Sequence, residues 1–408
     1  MSILVTGATG LLGSHVVERL VRRGESVVAL ARSASDTRFL ESLGVPVRRG
    51  DLLEPESLSG ALEGVGRVVH CAAKVGEWGP PAEIRAQIEG ASANLRAACV
   101  AAGVKRVVHV SSVMVYGYPL FGPGEFNEDQ PLGQRVNAGN NYCLAKIAAE
   151  KVWDGYPGEV VIVRPSWLYG ERDRVTLPRV IKAFTDNMVA MVGNGQNPLN
   201  LIYAGDVAEG CVLALLKGQP GRAFNLTSPG QATLREFLDL VADELGCPRV
   251  KTRLPVWFAW GLGWYSEVKG KLLRMKRPPH LTRYNVGLVT RSCRYSIRRA
   301  AEELGWEPKM PLAEGIERTL RWHIDDLPAT ARLRRQAAGD GGGAAGARRQ
   351  AGPGGGPPRH RPDAARRDVR LPAPGAGRRR AGRGHVVPVE PVRAGRSRPH
   401  RRRPGRDR

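Results

Sequence analysis

An apolar strand that runs into a glycine-rich turn opens the chain, and it constrains the fold more than any other feature. Residues 3–13 read ILVTGATGLLG. In this pattern Gly7 permits a tight turn, Gly10 lets the backbone approach a phosphate, and Gly13 lets the next helix pack close to the strand. That helix, expected at residues 15–23, directs its N-terminal amides and positive dipole end toward the turn. The segment therefore predicts a pyrophosphate-binding loop. The alternative is a surface turn in some other α/β unit.

Runs of Val and Ile alternate with helical patterns along the first part of the chain. Continuous apolar runs are typical of strands buried on both faces, as in parallel sheets covered by helices. We expect strands at 27–30, 45–48, 68–71, 107–110 and 160–163, with helices at 56–62, 83–102 and 142–154. This alternation predicts an α/β fold, a Rossmann-type doubly wound parallel sheet.

The alternation loosens from about residue 172. Helical patterns then recur at 177–184, 207–216, 234–245 and 313–322, separated by loops. We therefore expect a dinucleotide-binding domain at 1–171 and a smaller, mainly helical substrate-binding region at 172–328, interleaved with the last strands.

Residues 329–408 form a basic tail of Arg, Gly, Pro and Ala, which we expect to be disordered because it has too little apolar surface to bury. It contains 22 Arg and 5 acidic residues, so it carries +17 of the formal +23 of the chain. The basic charge therefore belongs mainly to the tail, and we expect no specific nucleic-acid partner. The tail could still hold RNA or DNA loosely through phosphate contacts. An alternative explanation is an erroneous gene end, because this composition is typical of GC-rich coding sequence read in a shifted frame.

The cysteines do not have the spacing of a metal site or a disulfide framework, so we expect no metal and a reducing, cytoplasmic environment. They are Cys71, Cys99, Cys143, Cys211, Cys247 and Cys293. The short apolar run at the start of the chain is better explained as the first strand than as a targeting signal.

A tryptophan-rich segment, LPVWFAWGLGW at residues 254–264, is too short and too interrupted by glycine to span a bilayer. We expect it to lie in the core or to form a wall of the substrate pocket. A basic run, KGKLLRMKR at 269–277, follows it. The alternative is therefore peripheral contact with a membrane surface.

Tyr142 and Lys146 stand four residues apart at the start of a helical pattern, which places phenol and ammonium on one face, one turn apart. A nearby cation stabilises phenolate, so we expect the pKa of Tyr142 to fall below its usual value of about 10. Such a pair is common by chance. It gains meaning from Ser111 and Ser112, which follow the strand at 107–110 at the sheet edge where ligands of open α/β folds bind.

The glycine turn, the strand-end serine and the Tyr-x-x-x-Lys spacing together resemble the extended short-chain dehydrogenase/reductase superfamily, which includes nucleotide-sugar epimerases and dehydratases. The resemblance covers about residues 1–325 and continues at Asp51–Leu52, His70–Ala73, Arg164–Pro165, Tyr169–Gly170, Tyr203–Ala208, Phe224–Asn225, Leu304–Trp306 and Pro308. Residues 72–79 and the aromatic run near Trp257 are similar to the subgroup with 3β-hydroxysteroid dehydrogenases, sterol-type dehydrogenases and 2-alkyl-3-oxoalkanoate reductases.

The resemblance implies roles for individual residues. Ser112 would hydrogen-bond the substrate oxygen, Tyr142 would act as acid and base, and Lys146 would lower the pKa of Tyr142 and hold the nicotinamide ribose. Ser111 would instead take part in the hydrogen bonds at the end of the strand. The residues expected to bind the dinucleotide are Gly7, Thr9, Gly10, Leu11, Leu12, Gly13, Arg32, Asp51, Leu52, Ala72, Ala73, Tyr142, Lys146 and Pro165.

The end of the second strand bears on the choice of cofactor. NAD-preferring relatives place a carboxylate there, whereas this chain has Ala31 followed by Arg32. A guanidinium matches an adenosine 2′-phosphate well, so NADP(H) is favoured and NAD(H) is the alternative. Arg32 could instead be a solvated loop cation. Asp51 and Leu52 resemble an adenine-contacting pair, although Asp51 could be an ordinary turn residue.

Two positions depart from the pattern of the superfamily. Gln87 stands where an Asn is usual, which puts the orientation of an active-site water network in doubt. Leu199 stands where nucleotide-sugar enzymes usually place an Arg on the substrate diphosphate. The loss of that guanidinium weakens the interpretation as a nucleotide-sugar enzyme.

These residues predict an NAD(P)-dependent oxidoreductase that interconverts a hydroxyl and a ketone on a small hydrophobic, sterol-like or oxoacyl substrate, and we expect it to form a homodimer. One alternative is a nucleotide-sugar epimerase or dehydratase that recycles the hydride internally. A second is a non-catalytic NADP-binding scaffold that uses its tail for binding.

Overall fold

The computed structural model describes residues 1–76, 78–117, 125–134, 140–228, 232–275, 277–290 and 293–326. All of them belong to one compact unit. The expected disordered tail lies outside the described residues. The expected domain boundary at residue 171 stays a prediction.

Seven parallel strands form the central sheet, in the order β12-β7-β5-β4-β1-β2-β3. Their bounds are β1 Ser2–Thr6, β2 Val27–Ala31, β3 Val47–Arg49, β4 Val65–His70, β5 Arg106–Val110, β7 Glu159–Pro165 and β12 Ala223–Leu226. The order reverses between β1 and β4, and such a switch point opens a crevice at the carboxyl ends of the strands. The doubly wound sheet predicted from the alternation is confirmed.

Short two-stranded pairs lie outside this sheet: β6 Glu125–Phe126 with β15 Arg294–Tyr295, β8 Trp167–Tyr169 with β11 Leu201–Tyr203, β9 Met191–Val192 with β14 Arg253–Leu254, and β10 Pro198–Leu199 with β13 Ala232–Thr233. The α-helices are α1 Leu11–Arg22, α2 Arg38–Ser42, α3 Pro81–Arg85, α4 Ala91–Ala101, α5 Asn141–Lys151, α6 Leu177–Thr185, α7 Ala204–Lys217, α8 Leu234–Leu245, α9 Val256–Leu272, α10 Arg283–Thr290 and α11 Leu312–Asp326.

Two apolar cores cover the two faces of the sheet. One combines side chains of α1 and α7 with Trp306 from the C-terminal part of the chain. The other contains Leu95 of α4 together with Trp153 and Tyr156. A third core, formed by α6, α8 and α11, supports the region after residue 166. Burial on both faces explains why the strands read as continuous runs of Val and Ile.

Several elements differ in detail from their sequence-based expectations. The helix expected at 83–102 is interrupted by a π-turn at Ala86–Gly90, and the helix expected at 56–62 is two 3₁₀ turns, Pro55–Leu58 and Gly60–Leu62. The strand β12 was not predicted as a strand.

The expectation that residues 254–264 lie in the core is wrong for most of the segment, while the alternative of a substrate-pocket wall stays a prediction. These residues belong largely to α9, which leaves Trp257 76 % exposed and Trp264 55 % exposed. Only the small residues Ala259 and Gly263 are buried within this segment, because close approach of α9 to its neighbours leaves no room for larger ones.

Candidate functional site

The turn after β1 is built around glycine. Gly7 has a φ of +65°, and a Cβ there would lie 2.8 Å from the backbone nitrogen of Ala72. A Cβ on Gly13 would lie 2.2 Å from the carbonyl oxygen of Gly7, so α1 can start this close to the turn only with glycine at that position. Gly10 precedes α1 and offers no side-chain cap to its amides. The result is a backbone cradle whose amides can bind an anion, which fits the pyrophosphate of a dinucleotide.

A buried network of hydrogen bonds lies beneath this cradle. The Thr6 hydroxyl bonds to Nδ1 of His70 at 2.8 Å and accepts a bond from the Ala72 amide at 3.2 Å. Nε2 of His70 bonds to the Ser92 hydroxyl at 3.1 Å, and that hydroxyl donates to the Ile88 carbonyl at 2.8 Å. These contacts assign the imidazole proton to Nε2. Burial lowers the pKa of His70 to about 3, so the ring is neutral and fixes the spacing of β1 and β4.

Ser112 and Tyr142 come together at the carboxyl end of β5. Their side chains are neighbours, close enough for the Ser112 hydroxyl to act on the pKa of the Tyr142 phenol. The Ser112 hydroxyl also accepts a bond from the Met114 amide at 3.3 Å, which orients it at the start of a 3₁₀ turn. Tyr142 lies in the first turn of α5, where Asn140 caps the helix through a 2.9 Å bond from the Cys143 amide. A capped helix and a capped turn therefore hold the two side chains beside each other.

The expectation that Lys146 lowers the pKa of Tyr142 is not met. Burial raises the pKa of Tyr142 to about 12, and the neighbouring Ser112 hydroxyl offsets only part of that effect. The Lys146 ammonium donates instead to the Val110 carbonyl at 3.1 Å. The phenol is therefore held protonated, which is the form that can donate a proton to a substrate oxygen.

Lys146 is 3 % exposed and lies at the same sheet edge as Tyr142. Its charge acts on the pKa values of His70 and Cys71, which stand at the end of β4. Burial lowers its pKa to about 8, against the opposing effect of Glu150 one turn along α5. A lysine in this position can switch between ammonium and amine near neutral pH.

The sequence interpretation did not identify a buried ion pair beside the site. Arg164 on β7 forms two bonds to the Glu150 carboxylate, at 2.9 and 2.7 Å, and a third to the Tyr116 hydroxyl at 2.9 Å. The Tyr116 hydroxyl donates in turn to Asn225 of β12 at 2.7 Å. This network links α5 to β7 and β12, so it fixes the helix that carries Tyr142 and Lys146. No local spacing indicated this network, because Glu150 and Arg164 lie on different elements.

The expected adenosine-binding residues are placed at the other half of the crevice. Arg32 follows β2 and its side chain is exposed, while its carbonyl accepts a 3.0 Å bond from Arg49. Asp51 bonds its own loop, since its Oδ1 accepts from the Leu53 amide at 3.0 Å. This contact makes Asp51 a turn residue, and the role in adenine binding stays a prediction. Leu52 is nearly buried, and its carbonyl accepts a 2.8 Å bond from Asn94.

The remaining expected cofactor residues line the same edge of the sheet. Ala72 and Ala73 follow β4, and Pro165 ends β7, next to the strand that carries Ser112. Thr9 and Leu11 are half-buried in and after the glycine turn, and Leu12 is buried. Ser111 meets only part of the expectation that it takes part in the hydrogen bonds at the strand end. Its amide bonds to the Val163 carbonyl at 2.8 Å, but its buried hydroxyl has no partner among the described residues.

The two departures from the superfamily pattern have ordinary structural roles. Gln87 donates to the Glu83 carboxylate at 3.0 Å, and Glu83 also pairs with Lys74 at 2.8 Å. Leu199 is 1 % exposed and packs in the core formed by α6, α8 and α11. A buried leucine offers no group to a substrate diphosphate.

Comparison with known proteins gives a consistent assignment. Residues 3–227 match the profile of the NAD dependent epimerase/dehydratase family. The chain is 30 % identical over 330 residues to a 2-alkyl-3-oxoalkanoate reductase of Stenotrophomonas maltophilia, covering 78 % of this chain and 98 % of the relative. It is 27 % identical over 338 residues to the decarboxylating sterol-4-alpha-carboxylate 3-dehydrogenase of Mus musculus, covering 78 % and 89 %.

A solved structure, that of gox2253, has a similar fold with a TM-score of 0.67 and 28 % identity, covering 80 % of this chain and 98 % of the other. The resemblance to reductases and sterol-type dehydrogenases drawn from the motifs is therefore confirmed. The family implies a nicotinamide dinucleotide as the cofactor, and the glycine cradle fits one. The chain belongs to the NAD dependent epimerase/dehydratase family of extended short-chain dehydrogenases/reductases and is an oxidoreductase enzyme.

Proposed function

We propose that the protein reduces a ketone, or oxidises the corresponding alcohol, on a hydrophobic substrate with NADP(H), and that Tyr142 carries the proton. The observation that supports this most is the placement of Tyr142 beside Ser112 at the carboxyl end of β5. Two neighbouring hydroxyls can hold one carbonyl oxygen between them, because each can donate a hydrogen bond to it.

Tyr142 acts as general acid in the reductive direction. Its raised pKa keeps the phenol protonated at neutral pH, so a proton is available when negative charge develops on the substrate oxygen. Ser112 holds that oxygen, and the Lys146 ammonium supplies positive charge at the same edge of the sheet. The bound nicotinamide dinucleotide supplies or accepts the hydride. Gly7, Gly10 and the start of α1 would hold its pyrophosphate.

An apolar substrate fits the surroundings of the tyrosine. Tyr142 packs against a cluster of Ile84, Ile88, Ala145 and Ala149. The names of the two relatives refer to an alkyl-oxoalkanoate and to a sterol, both with large apolar parts. The buried Leu199 argues against a nucleotide-sugar substrate, because no guanidinium stands at that position to bind a diphosphate.

The proposal is tested with Tyr142→Phe, assayed for consumption of NADPH with ketones of increasing alkyl length. We expect kcat/KM to fall by a factor of about 10²–10⁴, because the acid is removed, while the Kd for NADPH stays within about twofold. The matched control is Tyr156→Phe, which removes a buried phenol that donates to the Val104 carbonyl at 2.7 Å away from the catalytic residues. Unchanged turnover in Tyr142→Phe, or turnover of nucleotide sugars without net consumption of NADPH, would contradict the proposal.

A further inference from the structure

The helix α9 presents its large apolar side chains to solvent. Tyr265 is 57 % exposed and Leu272 is 82 % exposed. The other exposed large apolar residues on α9 are Val256, Trp257, Phe258, Leu262, Trp264 and Val268. With 3.6 residues per turn, Trp257 through Leu272 of this set share one face, within about 160° around the helix axis. We call this face the α9 apolar face.

The opposite side of α9 is made of small residues. Ala259, Gly263 and Gly270 are the buried residues of the helix. A Cβ on Gly263 would lie 2.9 Å from the Arg283 amide nitrogen, and one on Gly270 would lie 2.8 Å from the Trp78 ring. An ordinary surface helix buries its large apolar residues and exposes polar ones. Because of this reversal, the large apolar side chains of α9 stay exposed beside the described residues instead of packing against them.

The sequence in and around α9 is basic. Residues 251–277 contain seven Lys and Arg but a single acidic residue, Glu267. The Glu267 carboxylate is neutralised by Arg283, with bonds at 2.9 and 2.7 Å. Lys269 and Lys271 are exposed and lie close to the two edges of the apolar face. A partner for this surface must therefore accept Trp, Phe and Tyr rings and carry negative charge.

We propose that α9 lies on the surface of an anionic phospholipid membrane, with its apolar face inserted between the headgroups. Aromatic rings and lysines are the side chains that suit this boundary, because each has an apolar body and a polar or charged end. No described helix is long and apolar enough to cross a membrane, so α9 would lie in the plane of the surface. A second copy of this chain is a poorer partner, because a two-fold axis would bring the same lysines together.

The test is co-sedimentation of the full chain with vesicles, either of phosphatidylcholine or of an equimolar mixture with phosphatidylglycerol. The variants are Trp257→Ser/Trp264→Ser and Lys269→Glu/Lys271→Glu. The control is Leu216→Ser/Lys217→Glu, which changes an exposed leucine and lysine at the end of α7. Binding is measured at about 0.1 M and about 0.5 M salt. The higher concentration reduces the Debye length to about 4 Å and weakens contacts of the basic tail.

We expect the wild type and the control to bind the anionic vesicles at both salt concentrations. The tryptophan variant should lose at least tenfold in affinity at about 0.5 M salt, and the lysine variant should lose at least tenfold at about 0.1 M. If every variant binds alike and is released at high salt, the tail carries the binding and the proposal is wrong. It is also wrong if the wild type binds neither kind of vesicle, and conversion of a dimer to a monomer by Trp257→Ser/Trp264→Ser would then show that a second copy covers the face. NADPH oxidation is not part of the readout, so the result is independent of the proposed function.

Discussion

At the scale of single residues, we infer that the cofactor preference depends on Arg32. It stands exposed at the end of β2, where a carboxylate would favour the ribose hydroxyls of NAD. We predict that Arg32→Ala lowers the preference for NADPH over NADH by a factor of about 10–100, because the 2′-phosphate loses a bidentate partner. The ratio of kcat/KM values for the two cofactors measures this. Arg179→Ala, which removes an exposed arginine from α6, is the control. An unaltered ratio in Arg32→Ala would show that Arg32 is a solvated loop residue.

Lys146 destabilises the fold at neutral pH. Its pKa is about 8 in the folded chain and 10.5 in its ordinary environment, so the folded protein binds the proton less tightly than the unfolded chain. That difference costs about 3 kcal/mol of stability below pH 8, and the cost is relieved as pH rises from about 8 to 10.5. We therefore predict that Lys146→Met is more stable than the wild type at pH 7 and that its advantage shrinks over that interval.

Urea unfolding at several pH values measures the effect. Lys151→Met is the control, because Lys151 is exposed on the same helix. A stability advantage that stays constant from pH 7 to 10.5 would contradict the assignment of the low pKa to Lys146.

At the scale of elements, the junction of β1 and α1 decides whether a dinucleotide can bind. The Cβ of an alanine at position 13 would lie 2.2 Å from the Gly7 carbonyl, so α1 would have to move away from the turn. We predict that Gly13→Ala raises the Kd for NADPH by at least about tenfold, because the amides at the start of α1 no longer point at the pyrophosphate.

Gly60→Ala is the matched control for this prediction. A Cβ at Gly60 meets nothing within 4 Å and φ there is not positive, so the fold should accept it. Fluorescence titration of both variants with NADPH separates the local effect from a general loss of stability. Wild-type affinity in Gly13→Ala would mean that α1 does not hold the phosphates.

At the scale of the whole molecule, one core joins the two ends of the described chain. Trp306 is 1 % exposed and packs among side chains of the N-terminal strands and of α1 and α7. Its indole donates to the Asp206 carbonyl at 2.8 Å, and the Asp206 carboxylate accepts from the Lys309 and Met310 amides. The residues after 300 therefore help to hold together the sheet that carries the cofactor cradle.

We predict that Trp306→Ala destabilises the protein by about 3–5 kcal/mol and that the sheet and the indole environments unfold together. Far-UV and near-UV circular dichroism during urea unfolding check this. Trp306→Phe should cost less, since it keeps most of the ring and loses mainly the bond to Asp206. Two separate transitions in the wild type would contradict a shared core.

Local patterns in the sequence determined the sheet and the glycine cradle. Strands buried on both faces must be apolar throughout, and the crowded contacts of Gly7 and Gly13 admit no side chain. Both features can therefore be recognised in short stretches of sequence. Other features depend on parts of the chain that are far apart in sequence. The high pKa of Tyr142 comes from burial, and the Glu150–Arg164–Tyr116–Asn225 network joins four elements. The outward direction of the large side chains on α9 depends on the small residues that pack beneath it. Tertiary structure decided these features, because burial and charge depend on which distant segments become neighbours.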